Sequence, residues 1–123
     1  MSNSVKQMMA DANGAVPRVS VEDAQKLIAE GALLVDVRDG TEVAASGKLR
    51  GAINVSRGML EFRADADAPY YDPAFAKDRA IVLYCASGGR SALAAKTLKD
   101  MGYARVFNLG GFKDAVDAGA PTE

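Results

Sequence analysis

Cys85 is the single cysteine of this 123-residue chain, and Arg90 stands five positions after it. Between them lie Ala86, Ser87, Gly88 and Gly89, and Ser91 follows. The four intervening residues are small, and none is proline or β-branched. Each therefore keeps its backbone N–H, and the two glycines can take positive φ without steric cost. Such a segment can curl until successive N–H groups converge on one point, a nest for an anion. The most strand-like run of the chain, Ala80-Ile81-Val82-Leu83-Tyr84, ends at Cys85, and an Ala- and Leu-rich helical stretch begins near Ser91. A helix N-terminus adds its orphan N–H groups and the positive end of its dipole, and Arg90 adds a permanent cation. All three favour a thiolate over a thiol, and the thiolate is the nucleophilic form. Taken singly, a cysteine at a strand end is an ordinary core residue and Gly-Gly before a helix an ordinary turn. Strand, cysteine, small loop, arginine and helix start in that order point to chemistry. The expected site is Cys85 as nucleophile, with Ala86, Ser87, Gly88, Gly89, Arg90 and Ser91 binding an anionic substrate.

Two absences narrow that chemistry. The chain has no histidine, which excludes Ser-His-Asp and Cys-His nucleophile pairs and counts against a zinc site. With one cysteine there is no intrachain disulfide and no resolving thiol, so any sulfur or redox chemistry at Cys85 must finish on another molecule. No metal and no cofactor are expected. Lys plus Arg number 15 against 16 Asp plus Glu, which gives no electrostatic case for nucleic acid. No apolar run approaches the roughly 20 residues of a membrane span, and Met1 to Val16 lacks the apolar stretch of a signal peptide. A cytoplasmic protein with no membrane partner is expected. The length suits one core: a flexible N-terminal segment over residues 1–16 and a single domain over 17–123.

The elements that must position Cys85 alternate along the chain. Ser20 with Asp23 resembles a capping box, and predicts a helix from about Val21 to Glu30 stopped by Gly31. Ala32 to Val37 reads as a strand buried on both faces, Thr41 to Ser46 as a short helix, Ala52 to Val55 as a second strand and Gly58 to Ala64 as a short helix. Asp65 to Pro73 is rich in Asp and Pro and reads as loop. After the Cys85 strand and the Ser91–Met101 helix come a strand over Arg105 to Leu109, a Gly110-Gly111 turn and a helix over Phe112 to Ala118. Buried strands alternating with helices predict an α/β domain with a covered parallel sheet, whose ligands bind beyond the carboxyl ends of the strands. Arg38 is placed to pair with Glu42, and Asp36 to accept hydrogen bonds from neighbouring loops. Met59, Leu60 and Phe62 read as core before lid, and Tyr70 and Tyr71 as rim residues of the polar loop.

Val82 to Ala95, containing Cys85-Ala86-Ser87-Gly88-Gly89-Arg90, resembles the active-site segment of single-domain rhodanese-like sulfurtransferases. Leu34 to Asp39 with Glu42 resembles the early Asp-Val-Arg segment of that family. Gly51 to Val55 resembles its second motif and Gly110-Gly111-Phe112 its late glycine turn. The resemblance covers about Val19 to Ala118. It implies a five-stranded parallel sheet flanked by helices on both faces. It also implies transfer of sulfane sulfur from a small anionic donor such as thiosulfate, through a Cys85 persulfide, to an external thiol or cyanide. Six residues run from Cys85 to Arg90 inclusive, as in the sulfur-handling relatives. The related phosphatases carry one residue more, a wider cradle for phosphate. The chain departs from the family at Gly40, often Pro, at Lys48 and Arg50, often His and Pro, and at Ala115, often Trp. Two alternatives stay open at this point: a phosphatase or arsenate reductase on the same fold, and a non-catalytic sulfur-carrier or binding module.

Overall fold

The structure, a computed structural model, describes residues 3–123. Among them β1 (Leu33–Asp36), β2 (Ile53–Asn54), β3 (Ile81–Cys85) and β4 (Val106–Gly111) form one sheet in the order β2-β1-β3-β4. Every pairing is parallel. All residues of β1 and β3 are buried, as central strands covered on both faces must be.

Successive side chains of a strand point to opposite faces, and the sheet therefore separates two cores. Leu33, Val35, Ile81, Leu83 and Cys85 pack with Leu60, Ala94, Ala95, Leu98 and Tyr103. Leu34, Val82 and Tyr84 pack with Ala24, Leu109 and Ala115 on the other face. Three helices cover the first face: α1 (Val5–Ala15), α4 (Leu60–Ala64) and α5 (Gly89–Asp100). Two cover the second: α2 (Val21–Ala29) and α6 (Phe112–Asp117). The period of two along β3 thus sends Cys85 to the face of the helix that follows it. The small Ala92, Ala94 and Ala95 of α5 are buried and let that helix approach β3 and β4 closely. Leu98 on the same helix is fully buried; truncating it to alanine would cost about 2–5 kcal/mol.

Local signals account for the boundaries. Ser20 Oγ accepts from the Asp23 N–H at 3.1 Å, Glu22 and Asp23 occupy the first turn of α2, and Gly31 follows its end with φ 107°. The helix α3 (Gly40–Ser46) opens with Glu42 accepting from the Asp39 N–H at 2.9 Å. No helix of the described residues is long and apolar enough to cross a membrane.

Three expectations need correction. The sheet has four strands rather than five. The segment beside β4 makes one isolated parallel bridge, Arg18 with Asn108, through Asn108 N–H to Pro17 O at 3.0 Å and Val19 N–H to Asn108 O at 3.1 Å. Pro17 has no N–H to extend that ladder, and Val21 already begins α2. Secondly, the stretch read as a flexible segment holds α1, capped by Ser4 accepting from Gln7 N–H at 3.0 Å, with Ala12 fully buried. Its apolar side is carried by alanine and methionine, too faint a stripe to read. Thirdly, Gly110 and Gly111 belong to β4 and are not a turn. The register slips between Leu83 and Tyr84, which pair with Asn108 and Gly110, leaving Leu109 as the extra residue of a bulge. Gly110 absorbs it with φ 103°.

Candidate active site

Cys85 is the last residue of β3, and the turn to α5 is only Ala86, Ser87 and Gly88. The helix starts two residues earlier than its Ala-rich run suggested, so Gly89 and Arg90 lie inside its first turn. Of the two glycines only Gly88 uses positive φ, at 101°. It is the N-cap of α5, and its side offers no capping group. In α1 and α2 a serine hydroxyl occupies the first free N–H groups; in α5 they are left to Cys85. The Gly88 N–H donates to Cys85 Sγ at 3.0 Å. Burial alone would raise the thiol, but the Ser91 hydroxyl and the N–H groups of Ser91, Ser87 and Gly88 outweigh it and bring Cys85 below an ordinary thiol. Cys85 is buried, while the next two residues, Ala86 and Ser87, are exposed.

A second ring of buried polar groups supports this loop. Ser91 Oγ lies 3.5 Å from Cys85 Sγ and donates to Asn108 Oδ1 at 2.8 Å. Asn108 Oδ1 also accepts from the Gly110 N–H at 3.0 Å, and Asn108 Nδ2 donates to Gly88 O at 3.3 Å. Ser91 and Asn108 are both buried. Asn108 thereby ties β4 to the end of the loop at Gly88 and to the first turn of α5. Gly111 is the other contact: a Cβ there would sit 2.7 Å from Ala86 O and 3.2 Å from Ser87 Cα. The loop folds over the space that glycine leaves.

The charges are arranged differently from expectation. Arg38 does not pair with Glu42. It is buried and donates from Nε and Nη2 to both oxygens of Asp36, and further to Ser46 Oγ and Gly47 O. Its guanidinium lies 4.3 Å from the centre of the Phe112 ring. Asp36 therefore satisfies Arg38, and the pair pins the end of α3 to β1. Glu42 is taken by Arg90 in a two-bond pair, 2.7 Å from Nη1 and 2.9 Å from Nη2. Arg90 lowers the Glu42 carboxyl to about 2, with help from the Asp39 N–H; Glu42 in turn raises the guanidinium. Arg90 thus stands at the loop already matched to a carboxylate.

Arg18 was not singled out from sequence. It is exposed, and its guanidinium crosses the Cα of Gly110 where a side chain would be, with Nη1 4.0 Å from the Cβ position of Gly88. Among the described residues it has no carboxylate partner within salt-bridge distance. Of the other residues singled out, Lys48 pairs with Glu123, and Leu60 is buried whereas Met59 and Phe62 are exposed. Tyr70 is exposed, and Tyr71 donates its hydroxyl to Phe75 O. Of the expected loop residues, Ser87, Gly88 and Ser91 turn hydrogen-bond donors to Cys85, while Ala86 lies in the turn and Gly89 in the first turn of α5. Asn108, Gly111 and Arg18 were missed, since only long-range packing brings them there. No group of three or more metal-binding side chains gathers among the described residues.

The arrangement can hold a sulfur anion in a ring of N–H donors and present it to an anionic partner. The solved structure of a Rhodopseudomonas palustris protein of unknown function, described as a possible tyrosine phosphatase, superposes with a TM-score of 0.90 at 42% identity, covering 100% of this chain and 96% of that one. A sulfurtransferase of Allochromatium vinosum is 38% identical over 82 residues, 67% of this chain and 68% of its own. The thiosulfate sulfurtransferase GlpE of Pseudomonas entomophila is 34% identical over 100 residues, 78% of this chain and 81% of its own. The sequence model of the rhodanese-like domain matches residues 20–118, and with the cysteine loop and the parallel sheet in place the chain belongs to the rhodanese-like domain family.

Proposed function

We propose that the chain is a sulfurtransferase that takes sulfane sulfur from a thiosulfate-like donor onto Cys85 and passes it to a thiophilic acceptor. The Cys85 thiolate attacks the outer sulfur of the donor. A Cys85–sulfur bond forms, and the donor's S–S bond breaks with its electron pair leaving on sulfite. The negative charge now sits on the outer sulfur of the persulfide, within reach of the loop N–H groups, a preorganised electrostatic role. An external thiolate, or cyanide in an assay, then attacks that outer sulfur and returns Cys85 as thiolate. Two half-reactions on one nucleophile give ping-pong kinetics. The observation that carries the reading is the uncapped start of α5, whose Gly88 N–H points at Cys85 Sγ from 3.0 Å. The names of the Allochromatium and Pseudomonas relatives support it.

The Rhodopseudomonas neighbour favours a second reading, phosphate-ester hydrolysis. What supports sulfur over phosphate is the short span from Cys85 to Arg90 and the two-bond pairing of Arg90 with Glu42, which already engages one hydrogen of each terminal guanidinium nitrogen with a carboxylate. Mass spectrometry after incubation with thiosulfate tests the choice. One added sulfur on Cys85, discharged by cyanide and absent in Cys85→Ser, is expected. An unmodified Cys85 in a protein that hydrolyses an aryl phosphate would replace the proposal with the second reading.

A further inference from the structure

The Ser91 hydroxyl has one hydrogen and two claimants. Asn108 Oδ1 already accepts from the Gly110 N–H at 3.0 Å, which fixes the amide with its oxygen towards Ser91. The 2.8 Å contact between Ser91 Oγ and Asn108 Oδ1 therefore has Ser91 as donor. Cys85 Sγ lies 3.5 Å from the same Oγ. When Cys85 is a thiol, S–H to Ser91 to Asn108 forms an unbroken chain in which every group is satisfied. When Cys85 is a thiolate, the hydroxyl must turn to donate to sulfur, and Asn108 Oδ1 keeps only Gly110. All three side chains are buried, so Asn108 Oδ1, reduced from two donors to the Gly110 N–H alone, is left less well satisfied with little solvent to compensate.

We infer that Asn108 is a positioning residue that draws the Ser91 hydrogen away from Cys85 Sγ whenever that sulfur is uncharged and yields it when the thiolate forms. The inference rests on Cys85 being the nucleophile proposed above. During sulfur loading the charge moves from Sγ to the outer sulfur, and Sγ becomes the neutral inner atom of the persulfide. The Ser91 hydrogen then returns to Asn108. No proton leaves the site in that exchange, because the hydroxyl only rotates. Asn108 thus favours the loaded state over the free thiolate, and makes the free thiolate the stronger nucleophile by competing for its hydrogen bond.

A scaffold that merely held the loop would behave differently. Losing it would loosen the donors to Sγ and raise the midpoint, the same sign as losing the Ser91 hydroxyl. Competition predicts opposite signs: Ser91→Ala raises the Cys85 titration midpoint, and Asn108→Leu lowers it. The charged groups around Cys85 are Arg90 of α5, its partner Glu42 of α3, Arg18 beside Gly110, and the Asp36–Arg38 pair at the end of β1; none is altered by these variants. Because the chain has one cysteine, thiolate ultraviolet absorbance against pH reads Cys85 alone, with Cys85→Ser as blank and no sulfur donor present. Failure of this titration is therefore distinguishable from failure of sulfur loading.

At a fixed pH below the midpoint, the thiolate-to-thiol ratio should rise about three- to tenfold in Asn108→Leu and fall by a similar factor in Ser91→Ala. In the Ser91→Ala background, Asn108→Leu should then change nothing. A shift of the same sign in both single variants, no shift in Asn108→Leu, or a shift that persists without Ser91 overturns the inference. Should Asn108→Leu fail to fold, Asn108→Asp keeps the acceptor and strengthens it. Its midpoint must rise more with Ser91 present than in the Ser91→Ala background, and equal rises overturn the inference.

Discussion

Gly111→Ala isolates the contact between β4 and the cysteine loop. Gly111 has φ −95° and ψ 143°, a backbone that alanine adopts without strain, so the whole effect must come from the added methyl. That methyl would lie 2.7 Å from Ala86 O, whereas a relaxed carbon–oxygen contact is about 3.3 Å. The carbonyl must withdraw by about 0.6 Å to restore that contact. The Ala86 carbonyl and the Ser87 N–H belong to one rigid peptide plane, so the withdrawal carries the Ser87 donor off Cys85 Sγ. Misplacement by ~1 Å costs on the order of 10²-fold in rate; 0.6 Å on a logarithmic scale gives roughly a tenfold loss. Overpacking should also cost about 1–3 kcal/mol of stability. The assay is the rate of sulfur loading from thiosulfate beside thermal unfolding and the Cys85 thiolate midpoint. The rate should fall roughly tenfold, the unfolding temperature should drop, and the midpoint should rise. A folded variant with parental loading rate and midpoint would refute the view that this glycine sets the loop.

Gly88→Ala and Gly89→Ala should part company although the residues are neighbours. Gly88 has φ 101° and a Cβ position 3.3 Å from Gly110 Cα, whereas a Cβ on Gly89 meets nothing within 4 Å; sulfur loading should collapse in the first and stay within about twofold in the second. Arg90→Ala should lower kcat/KM for thiosulfate by about tenfold, and adding Glu42→Gln should restore part of the loss, because the single variant leaves a carboxylate facing an anionic donor. A double variant as impaired as the single would show that the Glu42 charge is not the obstacle. The Glu42 carboxyl is depressed in the fold to about 2, so the pair's contribution is present above the ordinary carboxylate range and lost as pH falls through about 2; turnover measured between pH 4 and 9 should show no limb from Glu42. Arg18→Gln should raise KM for thiosulfate about two- to fivefold and flatten its salt dependence while leaving kcat and neutral donors unchanged; an unaltered salt dependence would remove Arg18 from donor attraction.

Much of this architecture is legible in the chain because the signals are local. The Ser20–Asp23 cap, Gly31 and the unbroken apolar run before Cys85 each fix an element through its nearest neighbours, and the small loop after Cys85 announces an anion nest. What is not legible depends on register between distant strands. The bulge at Leu109 places Asn108 against Ser91 and Gly111 against Ala86, and nothing near residues 108–111 records the Cys85 loop. The Arg38 error has the same origin. Four-residue spacing suggested Glu42 as its partner, but Asp36 is buried on β1 beside it, and a buried carboxylate left unpaired would be far costlier than an exposed one. Glu42 is then free to face Arg90 across 48 positions of sequence. The missing fifth strand reduces to one residue type, since Pro17 cannot donate where the ladder would continue.

The pairing of charges also says where anion recognition comes from. Two of the arginines near the carboxyl ends of the strands, Arg38 and Arg90, are matched by Asp36 and Glu42, so neither carries a free positive charge into the site. The attraction that remains comes from neutral groups, the N–H donors of Ser87, Gly88 and Ser91 and the start of α5, together with exposed Arg18. Neutral donors act at short range and are little screened by salt, whereas an exposed guanidinium acts at longer range and is screened within about 8–10 Å at ordinary ionic strength. Binding and chemistry are thereby separable. On the proposed function, holding sulfur at Cys85 should depend on loop geometry, to which β4 contributes through Asn108 and Gly111, and delivery of an anionic donor should depend on Arg18. The lowering of the Cys85 thiol should therefore persist as ionic strength rises, because the groups that cause it are dipoles fixed by the fold and not mobile charges at its rim.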